Sequence, residues 1–380
     1  MQHLRCLNCL TLPKNRGMTM TKIKMTRRNF IKGSTVAGMT GLLSAGAVAN
    51  PAGGIGERLN QEEDNSGRQF FFNADGKFKI LQLADTHYVA GDPRSVRALD
   101  NVRQMLDTEK PDLVIHTGDV VYGKPAEESA REILAPISER KIPFAVTFGN
   151  HDDEFDRTRA QMLEIVRSIP YNINTKIEGI YGETNAVITL ASRGSSKPSR
   201  VFYLFDSNAY SKIDGIKGYD HIRFSQIAWY REHSEAFARM NEGKPIPSFA
   251  FFHIPLLEHK RALQDDFYSE THGTKGELVA SSNVSSGLFV SMKEMKDIDA
   301  MFVGHDHDND CATLWNRMFF IFGRFSGCDT VYNDLKPNGA RVIELTEGVD
   351  GFRSWIRLYG GEVIQNLRYP DSFMNRFGKK

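Results

Sequence analysis

Five short, β-rich apolar runs in this chain stop at side chains that carry lone pairs, and that repeated layout narrows the folds open to it. Ile80-Leu81-Gln82-Leu83-Ala84 runs into Asp85-Thr86-His87, and Leu113-Val114-Ile115-His116-Thr117 runs into Gly118-Asp119. Residues 142–148 run into Gly149-Asn150-His151-Asp152, residues 249–252 into His253, and residues 300–303 into Gly304-His305-Asp306-His307. A buried strand that ends in this way delivers its polar side chains at its carboxyl edge. The set offers carboxylate, amide and imidazole but no thiolate, which suits a pair of divalent or trivalent metal ions sharing a carboxylate. A single Asp here could equally cap a helix, and a single His could be a hydrogen-bonded core residue. Five such endings in one chain point instead to a shared site.

The segments between the runs carry helical spacing. Asp92 and Pro93 fit an N-cap and a first helical residue, with Val96, Leu99, Val102 and Leu106 following, and Pro111 ends that helix before the Asp119 strand. A second helix is predicted over 127–141, with Ile133, Leu134 and Ile137 inward and Pro136 bending or splitting it. A third is predicted over 157–169, with Met162, Ile165, Val166 and Ile169 as its stripe. Strand, helix, strand, helix, strand favours parallel pairing with right-handed crossovers, so the ligands converge on one edge. Further on, residues 185–190 and 201–205 read as antiparallel strands and 225–240 as a helix. Residues 318–322, 341–345 and 355–359 read as three more strands.

The five blocks, in this order, resemble the calcineurin-like metallophosphoesterases, whose pattern is Asp-x-His, Gly-Asp, Gly-Asn-His-Asp, a lone His and Gly-His-x-His. The resemblance spans roughly residues 78 to 310 and is closest in look to bacterial phosphohydrolases similar to purple acid phosphatases. It implies an α/β fold of two packed mixed β-sheets flanked by helices, occupying 69–380. It also implies a phosphomonoesterase or phosphodiesterase that uses attack by a metal-activated hydroxide. On that likeness Asp85, His87 and His307 hold one metal ion, Asn150, His253 and His305 the other, and Asp119 bridges them. The ions would be two divalent or mixed-valence metals such as Mn, Fe or Zn, and the partner a small phosphate ester. His151, adjacent to a ligand, would protonate the leaving oxygen. Tyr122 stands where purple acid phosphatases carry a metal-binding Tyr, but His87 departs from their pattern, which favours Tyr122 as a wall residue. Asp152 reads as a residue orienting His151 or a neighbouring ligand. The competing expectation is a non-catalytic metal-binding scaffold on the same fold. Monoester or diester preference stays open, because pocket shape rather than the ligand set decides it.

The beginning of the chain has a different character. Residues 1–49 hold eight Lys or Arg and no Asp or Glu, leaving 40 basic against 47 acidic residues beyond them. A net −7 over that remainder argues against bulk attraction to nucleic acid. Thr26-Arg27-Arg28-Asn29-Phe30-Ile31-Lys32 precedes an uncharged run over 33–48 and Ala47-Val48-Ala49, which reads as a twin-arginine export signal cleaved after Ala49. The run falls short of the ~20 apolar residues a membrane span needs. The expected destination is the periplasm or the exterior, by way of the twin-arginine machinery. Residues 50–68, rich in Gly and Asn, read as a linker. Cys6 and Cys9 lie in the leader, and Cys311 and Cys328 read as two free thiols or one disulfide. His116 reads as a structural residue within a strand run, and His221, His233, His259 and His272 as structural residues on polar stretches. The segment 257–286 reads as a pocket wall or lid, or else as a solvent loop.

Overall fold

Period-two alternation sorts the strands into two sheets with a shared interior. The computed structural model describes residues 69–373; the leader and the linker lie outside the described residues. One sheet runs β1 (Gln69–Phe71), β5 (Ala186–Ala191), β6 (Pro198–Leu204), β7 (Ser248–Phe251), β9 (Ile298–Val303), β11 (Met318–Phe322), β10 (Ala312–Trp315), β8 (Glu270–His272). The other runs β14 (Val363–Tyr369), β13 (Phe352–Leu358), β12 (Gly339–Thr346), β2 (Lys77–Leu83), β3 (Leu113–His116), β4 (Phe144–Val146). Both are mixed: β2, β3 and β4 pair in parallel, as do β6, β7, β9 and β11, while the flanking strands include antiparallel partners.

Along β2, Phe78 and Ile80 point into the space between the sheets, where they share one buried cluster with Phe202, Phe249, Phe251 and Phe302. Leu81 and Leu83, of opposite phase, face α1 (Val96–Glu109), α2 (Ala126–Glu139) and α3 (Arg159–Arg167). The outer face of the first sheet is covered by α4 (Phe224–Met240), α5 (Leu257–Gln264) and α6 (Leu288–Met295). The layers are therefore helix, sheet, sheet, helix, with the apolar stripes that predicted α1 to α3 turned inward except at Val96, which opens α1 and is 56% exposed, and Leu99, which is partly buried. Phe251 is fully buried, and truncating such a ring to Ala costs about 3–5 kcal/mol.

Three details differ from the sequence reading. Pro136 lies inside a continuous α2 and neither splits nor ends it. Its missing N–H falls in the last turn, and the Arg140 guanidinium donates to the Pro136 carbonyl at 2.9 Å. His259 does not sit on a polar stretch: α5 turns it fully inward against Phe252, Phe320 and Phe322. Strands β8, β10 and β14 and helices α5 and α6 were not anticipated. Of the two open readings for the cysteines, the free thiols hold: Cys311 and Cys328 are both buried and belong to different clusters.

Candidate dinuclear metal site

All the ligand candidates follow strands of the two sheets at their facing carboxyl ends. Asp85 and His87 follow β2, Asp119 follows β3 and Asn150 follows β4, while His253 follows β7 and His305 and His307 follow β9. The chain turns sharply at these points: φ is +57° at Asp85, +43° at His87, +52° at Asp119 and +77° at His305. Each such non-glycine conformation costs about 1–3 kcal/mol and persists where surroundings enforce it. Two glycines supply the room. A Cβ on Gly118, itself at φ +89°, would come within 2.6 Å of His253 Nδ1, and one on Gly149 within 2.1 Å of Asp119 Oδ1.

The side chains converge in two groups, Asp85, His87 and His307 in one, and Asp119, His253 and His305 in the other. His87 Nε2 lies 3.0 Å from His307 Nε2, and His305 Nδ1 lies 3.1 Å from His253 Nε2. Asp119 Oδ2 faces both groups, 3.1 Å from His253 Nε2 and 3.7 Å from His87 Nε2. Several rings are oriented from behind by backbone: His253 Nδ1 meets the Thr117 carbonyl and His307 Nδ1 the Tyr332 carbonyl, both at 2.8 Å. Asp85 accepts from the His305 amide at 3.0 and 3.1 Å.

Burial drives the His87 and His305 imidazoles well below their ordinary range, and His307 down to about 4, so these rings are neutral near pH 7. His253 goes the other way: burial opposes its charge, but Asp119, Asp85 and the Thr117 carbonyl outweigh burial and push it up to about 9. Burial likewise opposes ionisation of Asp119, and the His253 charge overrides it and holds that carboxylate well below its usual range. The donor set fits a pair of hard or borderline cations. Asn150 Oδ1 is buried without a hydrogen-bond partner, an arrangement that is costly unless something else satisfies it. Ions take imidazoles in the neutral form and carboxylates in the ionised form; His87, His305, His307 and Asp119 already have those forms, whereas His253, and Asp85, whose carboxyl burial raises well above its usual range, would release a proton to a bound cation.

His151 stands beside the groups. Its amide donates to Asp119 Oδ1 at 2.9 Å, and its Nδ1 is bonded to the Glu154 carboxylate. Tyr122 packs edge-on against His87 and His151, with centroids 5.2 and 4.8 Å away, as a wall residue does. Tyr219 sits edge-on at 4.3 Å from His305, and Tyr332 tilts over His307 at 4.4 Å. Glu154, Tyr210, Tyr219 and Tyr332 were missed in the sequence. Only Glu154 left a signal, since it lies three residues after His151. Of the two readings for 257–286, the wall describes it: Glu277 accepts from the Asp308 amide at 2.7 Å and from Tyr332 Oη at 2.9 Å. His116, by contrast, is a core residue, 2.9 Å from Thr86 Oγ1 and lowered to about 3 by burial.

The model of the calcineurin-like phosphoesterase family matches residues 78–309, more than half of the chain, and the chain belongs to that family. It is 31% identical over 352 residues to the probable inactive purple acid phosphatase 28 of Arabidopsis thaliana, covering 80% of this chain and 87% of that one. It is 29% identical over 325 residues to the phosphatase DCR2 of Saccharomyces cerevisiae, covering 75% of this chain and 54% of the relative. In three dimensions it is similar to a dimetal phosphatase from Danio rerio, with a TM-score of 0.52 and 12% identity, over 77% of this chain and 98% of the other. That last likeness speaks to the fold.

Proposed function

We propose that the chain is a metal-dependent phosphoric ester hydrolase acting on a small phosphomonoester or phosphodiester. Asp85, His87 and His307 hold one ion, Asn150, His253 and His305 hold the other, and Asp119 serves both. The observation that carries the reading is the Asp119 carboxylate, whose Oδ2 faces imidazoles of both groups at 3.1 and 3.7 Å. Ions held by these residues would supply the charge that neutralises phosphoryl oxygens and the acidity that lets a water attack at near-neutral pH. His151 donates the proton that the leaving oxygen needs, and its backbone amide keeps Asp119 in place. The export motif supports a further proposal, that the protein works in the periplasm or outside the cell.

The name of the Arabidopsis relative favours a second reading, a metal-binding scaffold without chemistry. One experiment separates them. Hydrolysis of para-nitrophenyl phosphate and its bis ester is measured with Mn, Fe, Zn and Ca, for wild type and Asp119→Asn. The enzyme reading expects turnover with at least one metal and a loss of at least about 100-fold in the variant. A metal-loaded wild type inert on both esters leaves the scaffold.

A further inference from the structure

His151 is held on one side only, and what holds it is not a metal ligand. Its Nδ1 is bonded to Glu154 Oε2, so the nitrogen left for a substrate is Nε2. The second Glu154 oxygen, Oε1, accepts from Tyr210 Oη at 2.5 Å, and Tyr210 Oη in turn accepts from Asn150 Nδ2 at 3.2 Å. That last contact places the amide nitrogen of Asn150 on Tyr210 and leaves its Oδ1, buried and unpartnered, on the opposite side. Asn150, Tyr210, Glu154 and His151 therefore form a closed chain of side chains, linked through the Asn150–His151 peptide. Tyr210 is itself steadied by a ring stack on Tyr219 and by a backbone bridge to that residue.

We propose that Glu154 is the positioning residue for His151, fixing its ring and its tautomer. Tyr210 extends that control to Asn150, so that proton donor and metal ligand keep a constant spacing. The proton balance is simple. The imidazolium gives its Nε2 proton to the leaving oxygen as the bond from phosphorus to that oxygen breaks, and it retains the Nδ1 proton in its bond to Glu154. Solvent then returns a proton to Nε2. A carboxylate in this place favours the ring that carries hydrogen on Nδ1, the form in which Nε2 can be reloaded from solvent after each turnover.

The kinetic half of the test rests on the phosphoesterase reading; the spectroscopic half does not. In the full chain loaded with zinc, ¹⁵N spectra at a pH where the ring is neutral should show the His151 proton on Nδ1, with His151→Ala identifying the signals. Glu154→Ala should move the ring toward the Nε2–H form while metal content stays unchanged. With para-nitrophenyl and ethyl esters of the kind the wild type hydrolyses, Glu154→Gln should lower kcat on the ethyl ester at least about tenfold. Its KM should stay within about twofold, and the para-nitrophenyl ester should lose less than about threefold. In a His151→Ala background the same change should add nothing. A wild-type ring protonated on Nε2, a tautomer indifferent to Glu154, equal losses on both esters, or an additive loss would each overturn the proposal. If the wild type hydrolyses no ester, the phosphoesterase reading fails and the tautomer alone decides the role of Glu154.

Discussion

The Asp152 carboxylate accepts a hydrogen bond from the Asp119 backbone amide at 3.0 Å, and the same oxygen accepts from Gly149 at 2.7 Å. Its other oxygen accepts from Val120 at 2.8 Å and Val121 at 3.3 Å. Asp152 thus ties the loop after β3 to the loop after β4 and sets the left-handed turn at Asp119. Asp152→Asn turns one acceptor into a donor facing buried N–H groups, which should cost about 1–3 kcal/mol of stability. Metal affinity should fall about 10- to 100-fold, as for other partners that orient ligands. Thermal unfolding and competition with a chelator measure both, and an unchanged affinity would detach Asp152 from the site.

His151 and His305 should separate acid catalysis from metal binding. His151→Ala should keep close to wild-type metal content and lose about 10²- to 10⁴-fold in rate. The loss should be greater on alkyl than on para-nitrophenyl esters. His305→Ala removes an imidazole from the inner group and should lose metal together with rate. Metal analysis beside rates on both ester types decides it; metal loss in His151→Ala would sink the assignment.

Much of this was legible because each ligand block ends a strand whose apolar residues mark both its period and its end. Leu113, Val114 and Ile115 announce β3, and Gly118-Asp119 announces where its load is delivered. The left-handed turns at Asp85, His87 and His305 were not legible, since these residue types also sit comfortably in ordinary conformations and only the packing enforces the turn. His259 was misjudged because its neighbours Glu258, Lys260 and Arg261 make the stretch polar, whereas helical geometry turns one position in it inward. Tyr210 and Tyr219 belong to a segment without periodicity, and only the fold brings them to the site.

His259 carries a pH prediction. Burial lowers its pKa to about 3, and its Nδ1 accepts from the Leu256 amide at 3.2 Å, so the folded ring is neutral. The unfolded chain binds a proton there below its ordinary value near 6.5, so the folded state binds fewer. Stability should therefore fall as pH drops from about 6.5 toward 3, with a slope of up to about 1.4 kcal/mol per pH unit from this group. His259→Gln, which can still accept from the Leu256 amide, should flatten that limb in unfolding curves taken across the range. Parallel curves for the two proteins would refute the assignment.

On the proposed export reading, in which the paired Arg is the address, changing both Arg27 and Arg28 to Lys should keep the protein in the cytoplasm. Fractionation and the mass of the amino terminus test this. Mature protein still reaching the exterior, or a wild-type chain never cleaved near Ala49, would count against the motif.

Each group of three ligands draws on both sheets. Asp85 and His87 come from the β2 side and His307 from the β9 side; Asp119 comes from the β3 side, with His253 and His305 opposite. On the proposed dinuclear reading, neither group can close until the chain has been made as far as His305, so metal uptake would come late in the life of a nascent chain. Ions bound there would act as rivets across a seam where, among the described strands, the two sheets share no ladder and the backbone crosses at Ala84, which bridges Phe325 and accepts from the Ser326 amide at 2.8 Å. At free metal 1,000-fold above Kd they would add about 4 kcal/mol per site to the folded state. Stripping the ions should loosen one sheet from the other before it frays either.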